Sequence, residues 1–360
     1  MRFILKRGLE RHTNEFVPKL RLFLQVMKDK SEPVQIGHLR LPESFLALAP
    51  MEDITDPPFR KICKPFGVDL MFTEFVASEG LIRGIEKSQK KLVYTKSERP
   101  IGIQLFGNHP ERLGEAAQLV AEMKPDLIDL NFGCPVSKIV SKGNGAAMLK
   151  TPDLMLEITR RVCCSVKIPV TVKTRLGWDE RSKHIVTLAE QLQDCGIAAL
   201  TIHGRTKTQM YSGKADWTLI GEVKNNPRMH IPIIGNGDIT SPFVAKDLLD
   251  RYGVDGLMIG RAAIGNPWIF RDIKHFFKTG NILMPPSVSE RVNLCKKHLQ
   301  TAVQWKGEKR AVLEMRKHYS GYFKGIPDFK PFRVRLLEST DLESSLTALR
   351  EVMEGLGTRD

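Results

Sequence analysis

The fold is decided by a series of short apolar runs, of which the most informative reads LIDLNFG at residues 127–133. Its apolar start is typical of a buried strand, and it turns polar at Asn131 just before a Gly-Cys-Pro turn. Seven further runs of strand length follow this pattern, with starts about 25–43 residues apart. They read FLALAP (45–50), LMFTE (70–74), IGIQLFG (101–107), VTVKTRLG (170–177), ALTIHG (199–204), IPIIGNGD (231–238) and GLMIG (256–260).

Helix-like stretches with apolar residues at 3.6-residue spacing separate these runs, for example at 111–123 and 182–196. Eight alternating strand and helix units predict an α/β fold, either a closed (β/α)8 TIM barrel or an open doubly wound sheet. We favour the barrel because polar residues end nearly every predicted strand, where barrel enzymes keep their sites. These residues are Glu74, Gln104, Asn131, Lys173, His203, Asn236 and Arg261.

Three segments follow from this pattern. Residues 1–35 form a basic N-terminal extension, and residues 36–284 form the barrel, entered through a short hairpin at VQIGHLRLP. Residues 285–360 open with two prolines and then show helical periodicity, which predicts a small all-α helical C-terminal domain. We expect three helices there, over 291–305, 308–323 and 340–357.

The charge balance points to a polyanionic partner. Lys and Arg outnumber Asp and Glu by 55 to 41, and residues 286–335 alone carry 12 basic against 4 acidic residues. Five aromatic residues are interleaved with that basic segment and would suit stacking on RNA bases. The alternative is a solvated helix face with aromatic residues in the core. The five are Tyr319, Tyr322, Phe323, Phe329 and Phe332.

Other classes of protein are disfavoured by composition. The chain is 42% hydrophobic and 27% charged, as in globular proteins, and has no apolar run of about 18 residues that would span a membrane. The six cysteines lack the spacing of a zinc site or a disulfide scaffold, so we expect no metal. The N-terminus is a poor secretory signal, so we expect a cytoplasmic protein, with a monomer as the simplest state.

Cys134 is the first candidate for chemistry, because it lies in the turn after the fourth predicted strand. A free thiol has a pKa of about 8.5 and is mostly protonated at neutral pH, so it can donate a proton as a general acid. It would be a nucleophile if its pKa fell. The alternative is a small buried residue without chemistry.

Two glycine turns end the seventh and eighth predicted strands, Asn236-Gly237-Asp238 and Gly260-Arg261. Barrels often bind a phosphate there through backbone N–H groups and the start of a short helix, and Arg261 adds a charged donor. The alternative is two ordinary tight turns. No Walker lysine follows, which disfavours a nucleoside triphosphate site.

Further polar residues belong to the strands themselves. Of Lys173 and Arg175 we expect one to point into the barrel mouth, where a cation would suit the electron-rich edge of a reduced flavin. His203 ends the sixth strand between other polar strand ends. Gln104 interrupts an apolar strand, and the edge of a ligand's ring would supply the partners that a buried amide needs.

Taken in order, these motifs resemble the tRNA-dihydrouridine synthases, and most closely their bacterial B-type group. The resemblance covers residues from about 35 to about 337, and the segment with the cysteine is its most specific part. The matching stretches are LAPMEDITDPPFR (48–60), QLFG (104–107), DLNFGCPVSKIVSKGNGAAML (129–149), VTVKTRLGW (170–178), TIHGRTKTQMYSGKADW (201–217), IIGNGDI (233–239), GLMIGRAAIGNPWIF (256–270) and MRKHYSGYFKGIP (315–327).

The resemblance implies an FMN-binding barrel and a helical domain that grips tRNA. NADPH would reduce the flavin, which would pass a hydride to C6 of a D-loop uracil while a cysteine protonates C5. The acid would then be Cys134, with substrate contacts at Asn131 and Arg205. The FMN contacts would be Pro50, Met51, Gln104, Lys173, His203, Asn236, Gly237, Asp238, Gly260 and Arg261.

Two other functions compete with this one. Another FMN barrel, such as a dihydroorotate dehydrogenase or an ene reductase, would share the phosphate site but would not need the basic helical tail. An RNA-binding module without catalysis would not need the polar residues at the strand ends.

Overall fold

The computed structural model describes residues 32–357, so most of the predicted N-terminal extension lies outside the described residues. The strands are β1 (Val34–Ile36), β2 (Leu39–Leu41), β3 (Phe45–Leu48), β4 (Met71–Phe72), β5 (Val76–Ala77), β6 (Ile101–Phe106), β7 (Leu127–Asn131), β8 (Val170–Arg175), β9 (Ala199–His203), β10 (Ile233–Asn236) and β11 (Gly256–Ile259). The helices are α1 (Pro57–Cys63), α2 (Ser78–Ile82), α3 (Glu86–Lys90), α4 (Pro110–Glu122), α5 (Ser137–Val140), α6 (Pro152–Ser165), α7 (Ile185–Asp194), α8 (Thr218–Asn225), α9 (Pro242–Tyr252), α10 (Trp268–Thr279), α11 (Val288–Lys306), α12 (Glu308–Tyr322), α13 (Lys330–Glu338) and α14 (Leu342–Leu356).

Eight parallel strands form the predicted barrel. Their order is β3-β11-β10-β9-β8-β7-β6-β4, and β5 pairs with the far end of β6. The ring closes between β3 and the segment before β4, where the N–H of Leu48 donates to the carbonyl oxygen of Leu70 at 3.0 Å. The barrel is therefore confirmed in preference to an open sheet.

The strands are buried on both faces, as their apolar sequences require. Every residue of β7 and of β11 is buried, because one face packs in the barrel and the other packs under the surrounding helices. The hairpin of β1 and β2 covers the amino-terminal end of the barrel with Ile36 and Leu41, which pack in one cluster with Phe45 and Ile234. The opposite end, where the strands finish, stays accessible.

Helices α11 to α14 surround a second hydrophobic cluster of their own. Three of them match the predicted helices, and α13 was missed. Tyr319, Tyr322, Phe323 and Phe329 are buried in this cluster, so the interpretation of these rings as a stacking surface for RNA is wrong. They are core residues because each helix buries one apolar stripe against its neighbours.

The helical region is fastened to the barrel by charged and aromatic contacts. The ammonium group of Lys306, in α11, contacts the carboxylates of Asp56, before α1, and Glu314, in α12. His298 and His318 pack against the ring of Phe59 in α1, with ring centroids 5.6 and 5.0 Å away. None of the helices within residues 32–357 combines the length and apolarity needed to cross a bilayer.

Candidate active site

A cavity of about 710 Å³ opens at the carboxyl-terminal end of the barrel strands. Two of the predicted site residues, Gln104 and Arg205, do not line it. The other predicted residues do line it, namely Pro50, Met51, Asn131, Cys134, Lys173, His203, Asn236, Gly237, Asp238, Gly260 and Arg261.

The loop that carries Cys134 is held by hydrogen bonds on several sides. The side-chain oxygen of Asn131 accepts from the N–H groups of Gly133 and Cys134, both at 3.0 Å, and Arg175 Nε donates to the Gly133 carbonyl at 2.7 Å. Gly145 approaches from the other side with φ at +59°, and a Cβ there would lie 2.9 Å from the Cys134 carbonyl oxygen. Only glycine fits this position without strain. The close packing of Gly145 and the hydrogen bonds of Asn131 and Arg175 together hold the Cys134 loop in one place at the rim.

The thiol of Cys134 is protonated at neutral pH. The residue is 9% exposed, and burial raises the pKa of its thiol above the ordinary value. A hydrogen bond from Val136 and the charges of Arg175 and Lys173 oppose this shift without reversing it. A neutral thiol is a proton donor and a poor nucleophile, so the burial of Cys134 favours the general acid among the predicted roles.

Lys173 supplies a cation to the floor of the cavity. Its ammonium group donates to Asn236 Oδ1 at 3.2 Å, and the amide of Asn236 is oriented by a 2.7 Å bond to the Met258 carbonyl. Burial and, to a smaller extent, the charge of Arg175 lower the pKa of Lys173 to about 8 against the opposing charge of Asp129. The amine is therefore still mostly protonated at pH 7.

Both Lys173 and Arg175 line the cavity, so the expectation that only one would do so is wrong. Residues two apart along a strand lie on the same face. The guanidinium of Arg175 also donates to the carbonyls of Thr206 and Met210, at 3.0 Å each. It therefore connects the Cys134 loop with the loop that follows β9.

His203 is neutral in this cationic environment. Burial lowers its pKa well below the ordinary value, and nearby cations, Lys173 and Arg175 among them, lower it further. Gly237, with φ at +126°, lies against its ring, and a Cβ there would come within 3.1 Å of His203 Cδ2. A neutral imidazole has one donor and one acceptor, which suits a hydrogen bond to a polar ring edge.

The two glycine turns for which a phosphate site is predicted lie together at the ends of β10 and β11. Gly260 lines the cavity and leads into a 3-10 helix that begins at Arg261. The carboxylate of Asp238 accepts from Arg205 at 2.7 and 2.9 Å, from the Ala215 N–H at 2.8 Å and from Arg261 at 3.3 Å. The cations offset its negative charge, so this corner of the cavity stays suited to an anion.

Arg205 and Gln104 lie behind the wall of the cavity. Arg205 is 2% exposed, and besides its bonds to Asp238 it donates to the carbonyls of Ser212 and Gly213. Gln104 is fully buried, and its amide has protein partners, where we expected a ligand's ring edge. Both side chains are buried and bonded to protein groups, so they support the residues that line the cavity.

The sequence-based predictions omit Tyr211 and Asp129, among other residues in or beside the cavity. Tyr211 lines the cavity, and its ring lies 4.8 Å from the guanidinium of Arg261. No pattern in its loop signals this. Asp129 is a fully buried carboxylate two residues before Asn131, and a charged residue in an apolar strand could have been singled out.

Three carboxylates, those of Glu52, Asp53 and Glu74, lie within 4.8 Å of one another at the rim. Lys91 contacts both Glu52 and Glu74, and Lys317 lies 3.9 Å from Asp53. Lysines thus already neutralise the cluster, which makes it an ion-pair network. The expected absence of a metal remains a prediction.

Comparison with known proteins identifies the chain. The family described as "Dihydrouridine synthase (Dus)" matches residues 47–355. The chain belongs to the dihydrouridine synthase family. The chain is 40% identical to a "Probable tRNA-dihydrouridine synthase" of Rickettsia conorii, over 83% of this chain and 90% of the relative. It is 38% identical to the "tRNA-dihydrouridine synthase B" of Pasteurella multocida and 37% identical to that of Pseudomonas aeruginosa, over 88% of this chain and 94% and 95% of theirs.

Solved structures share the fold of this dihydrouridine synthase family member at low identity. Histamine dehydrogenase from Rhizobium sp. 4-9 superposes with a TM-score of 0.51 at 15% identity, over 75% of this chain and 50% of that one. An amine oxidase from Pseudomonas geniculata N1 gives 0.55 at 13%, over 75% and 52%. The chain thus spans about half of each of these longer proteins, and the likeness supports the barrel alone.

Proposed function

We propose that this protein is a tRNA-dihydrouridine synthase, which reduces the C5–C6 bond of D-loop uracils in tRNA with FMN as cofactor and NADPH as reductant. The observation that carries the proposal is the neutral thiol of Cys134 in a cavity that also holds the cation of Lys173 and the neutral ring of His203. Relatives over most of the chain are named for this activity.

The residues present fit an FMN. Gly237 and Gly260 line the corner of the cavity where Arg261 offers its guanidinium, and backbone N–H groups beside a cation suit a phosphate. Lys173 and His203 line the cavity where the isoalloxazine edge would lie, and would hold it by charge and by a hydrogen bond. When bound and reduced, the flavin supplies the hydride for C6 of the base.

Cys134 would deliver the proton to C5. Its raised thiol pKa keeps the proton in place until the base arrives, and Asn131 beside it would hold the edge of the uracil. We infer that Arg205 acts on the substrate indirectly, through Asp238 and the loop at 212–213, because its guanidinium is buried there.

The tRNA would bind through charge. The aromatic rings of the 286–335 segment are mostly buried, but Lys309, Lys324, Lys330 and Arg333 are exposed. Such side chains neutralise phosphates and make affinity fall steeply with salt. The target base must leave its stack to enter the cavity, which is easiest for a base in a loop.

The test compares Cys134→Ala with Cys295→Ala, a buried cysteine of the helical region used as the matched control. Nucleoside mass spectrometry would be applied to tRNA from a strain lacking the gene and complemented by each form. We expect dihydrouridine to return with wild type and Cys295→Ala but not with Cys134→Ala, which should still bind FMN and tRNA. A dihydrouridine profile unchanged by deletion of the gene would refute the function, and full activity of Cys134→Ala would refute the acid.

A further inference from the structure

A chain of buried side chains connects β7 and its neighbouring strands to the Cys134 loop. Asp129 is fully buried, and its two oxygens accept from the Thr171 hydroxyl and from Gln104 Nε2, each at 2.6 Å. Gln104 Oε1 in turn accepts from Asn131 Nδ2 at 2.9 Å. The amide oxygen of Asn131 then accepts the N–H groups of the loop, including that of Cys134.

The hydrogen bonds from Asp129 to the Cys134 loop can run in one direction only. A carboxylate only accepts hydrogen bonds, and backbone N–H groups only donate them, so each end dictates how the intervening amides turn. Gln104 and Asn131 must both direct their nitrogen toward Asp129 and their oxygen toward the Cys134 loop. If either amide turned round, two donors or two acceptors would face each other.

The Asp129 carboxylate is ionised at neutral pH, the form that accepts hydrogen bonds on both oxygens. Burial raises the pKa of Asp129, and the opposing hydrogen bonds from Thr171 and Gln104 and the charge of Lys173 limit the rise to about 6. At pH 7 the group is therefore mostly ionised and accepts on both oxygens. A buried charge with two short hydrogen bonds holds its partners more firmly than a neutral group would.

We propose that Asp129 is a positioning residue, which acts through Gln104 and Asn131 to hold the Cys134 loop in the place where the thiol can protonate the base. It does not line the cavity, and its hydrogen bonds reach the Cys134 loop only through these neighbours, although its charge also favours the protonated form of Lys173. The effect on turnover rests on the proposed function, whereas the effect on the loop does not.

The test compares Asp129→Leu, which removes the acceptor, with Asp129→Asn, whose amide oxygen can still accept from Gln104. The control is Asp255→Leu, because Asp255 binds Lys224 and the Ile233 N–H at the opposite end of the barrel. Hydrogen–deuterium exchange is followed in the peptide that covers residues 132–136. Dihydrouridine formation and reduction of bound FMN by NADPH are measured separately.

We expect exchange at Gly133 and Cys134 to be about 10- to 100-fold faster in Asp129→Leu, since a hydrogen bond to a charged group is lost. Dihydrouridine formation should fall by a similar factor while reduction of FMN changes less than about threefold. Asp129→Asn keeps the acceptor but loses the charge, so both effects should be clearly smaller than in Asp129→Leu.

If Asp129→Leu does not fold, Gln104→Met cuts the same chain one step later and should give the same faster exchange. The proposal is overturned if exchange in the 132–136 peptide is no faster in Asp129→Leu or Gln104→Met than in Asp255→Leu. It is also overturned if Asp129→Asn is as impaired as Asp129→Leu. If wild type forms no dihydrouridine, the proposed function fails, and the exchange result alone decides the role of Asp129.

Discussion

Acid should weaken this protein through two histidines buried where the helical region meets the barrel. The rings of His298 and His318 lie 4.6 Å apart, and both pack against Phe59. Burial and, to a smaller extent, the charge of Lys306 lower the pKa of His298 to about 3. Burial also holds the pKa of His318 well below its usual range. Both are therefore neutral in the folded protein at mildly acidic pH.

The sign and size of the effect follow from linkage. Above the unfolded pKa of about 6.5 both rings are neutral in either state, so they add no pH dependence. As the pH falls below 6.5, the unfolded chain binds protons that the folded protein cannot, and the free energy of unfolding drops. Each histidine costs about 1.4 kcal/mol per pH unit in that range, so from pH 7 to pH 5 the pair costs about 4 kcal/mol.

Urea unfolding at pH 7 and pH 5 would measure this loss in wild type and in His318→Phe. Nδ1 of His318 has no hydrogen-bond partner among the described residues. Replacing the ring with phenylalanine therefore breaks no hydrogen bond at this nitrogen. We expect the variant to lose about 2 kcal/mol less than wild type. His109→Gln, at an exposed histidine, should behave as wild type. Equal losses in wild type and His318→Phe would refute the reasoning.

Three further changes test the rest of the structure. Lys306→Met leaves the carboxylate of Asp56 without its buried cation, and urea unfolding should show a loss of about 3 kcal/mol. Gly145→Ala adds a Cβ against the Cys134 loop at positive φ, and the strain of about 1–3 kcal/mol should slow dihydrouridine formation; Gly253→Ala, also at positive φ but in open space, should not slow it. Arg205→Lys replaces a guanidinium that joins Asp238 to the carbonyls of Ser212 and Gly213 with one ammonium group that cannot reach all three, and fluorescence titration should show FMN affinity about tenfold weaker.

The barrel could be predicted from sequence because its strands are buried on both faces and end in polar residues. That rule also located most of the cavity, including Lys173, His203 and Asn236. It failed for Gln104, which points toward buried partners, because a strand's pattern gives the face of a side chain but not what its terminal atoms meet. Arg205 lies beyond a strand end, where the path of the loop decides the position and no periodicity applies.

The helical region shows a different limit. Tyr319 and Tyr322 lie three residues apart and face the core, while the exposed basic residues are scattered between buried positions. Composition could not separate rings in the core from rings on a surface, since both interpretations use the same residues. Only the packing of α12 against α11 settles that these rings are part of the core.

The thiol at the centre of the proposal is subject to two opposing effects, and their balance determines its chemistry. Lys173 and Arg175 both favour a thiolate at Cys134, as in enzymes that use a cysteine nucleophile. Burial works against them and prevails, so the pKa of the thiol ends above its ordinary value. Under the proposed function, the cations would then serve the flavin and the loops, and the cysteine would keep the proton that C5 of the base receives. A polar substitution that admitted water beside Cys134 would weaken the burial and shift the residue from acid toward nucleophile.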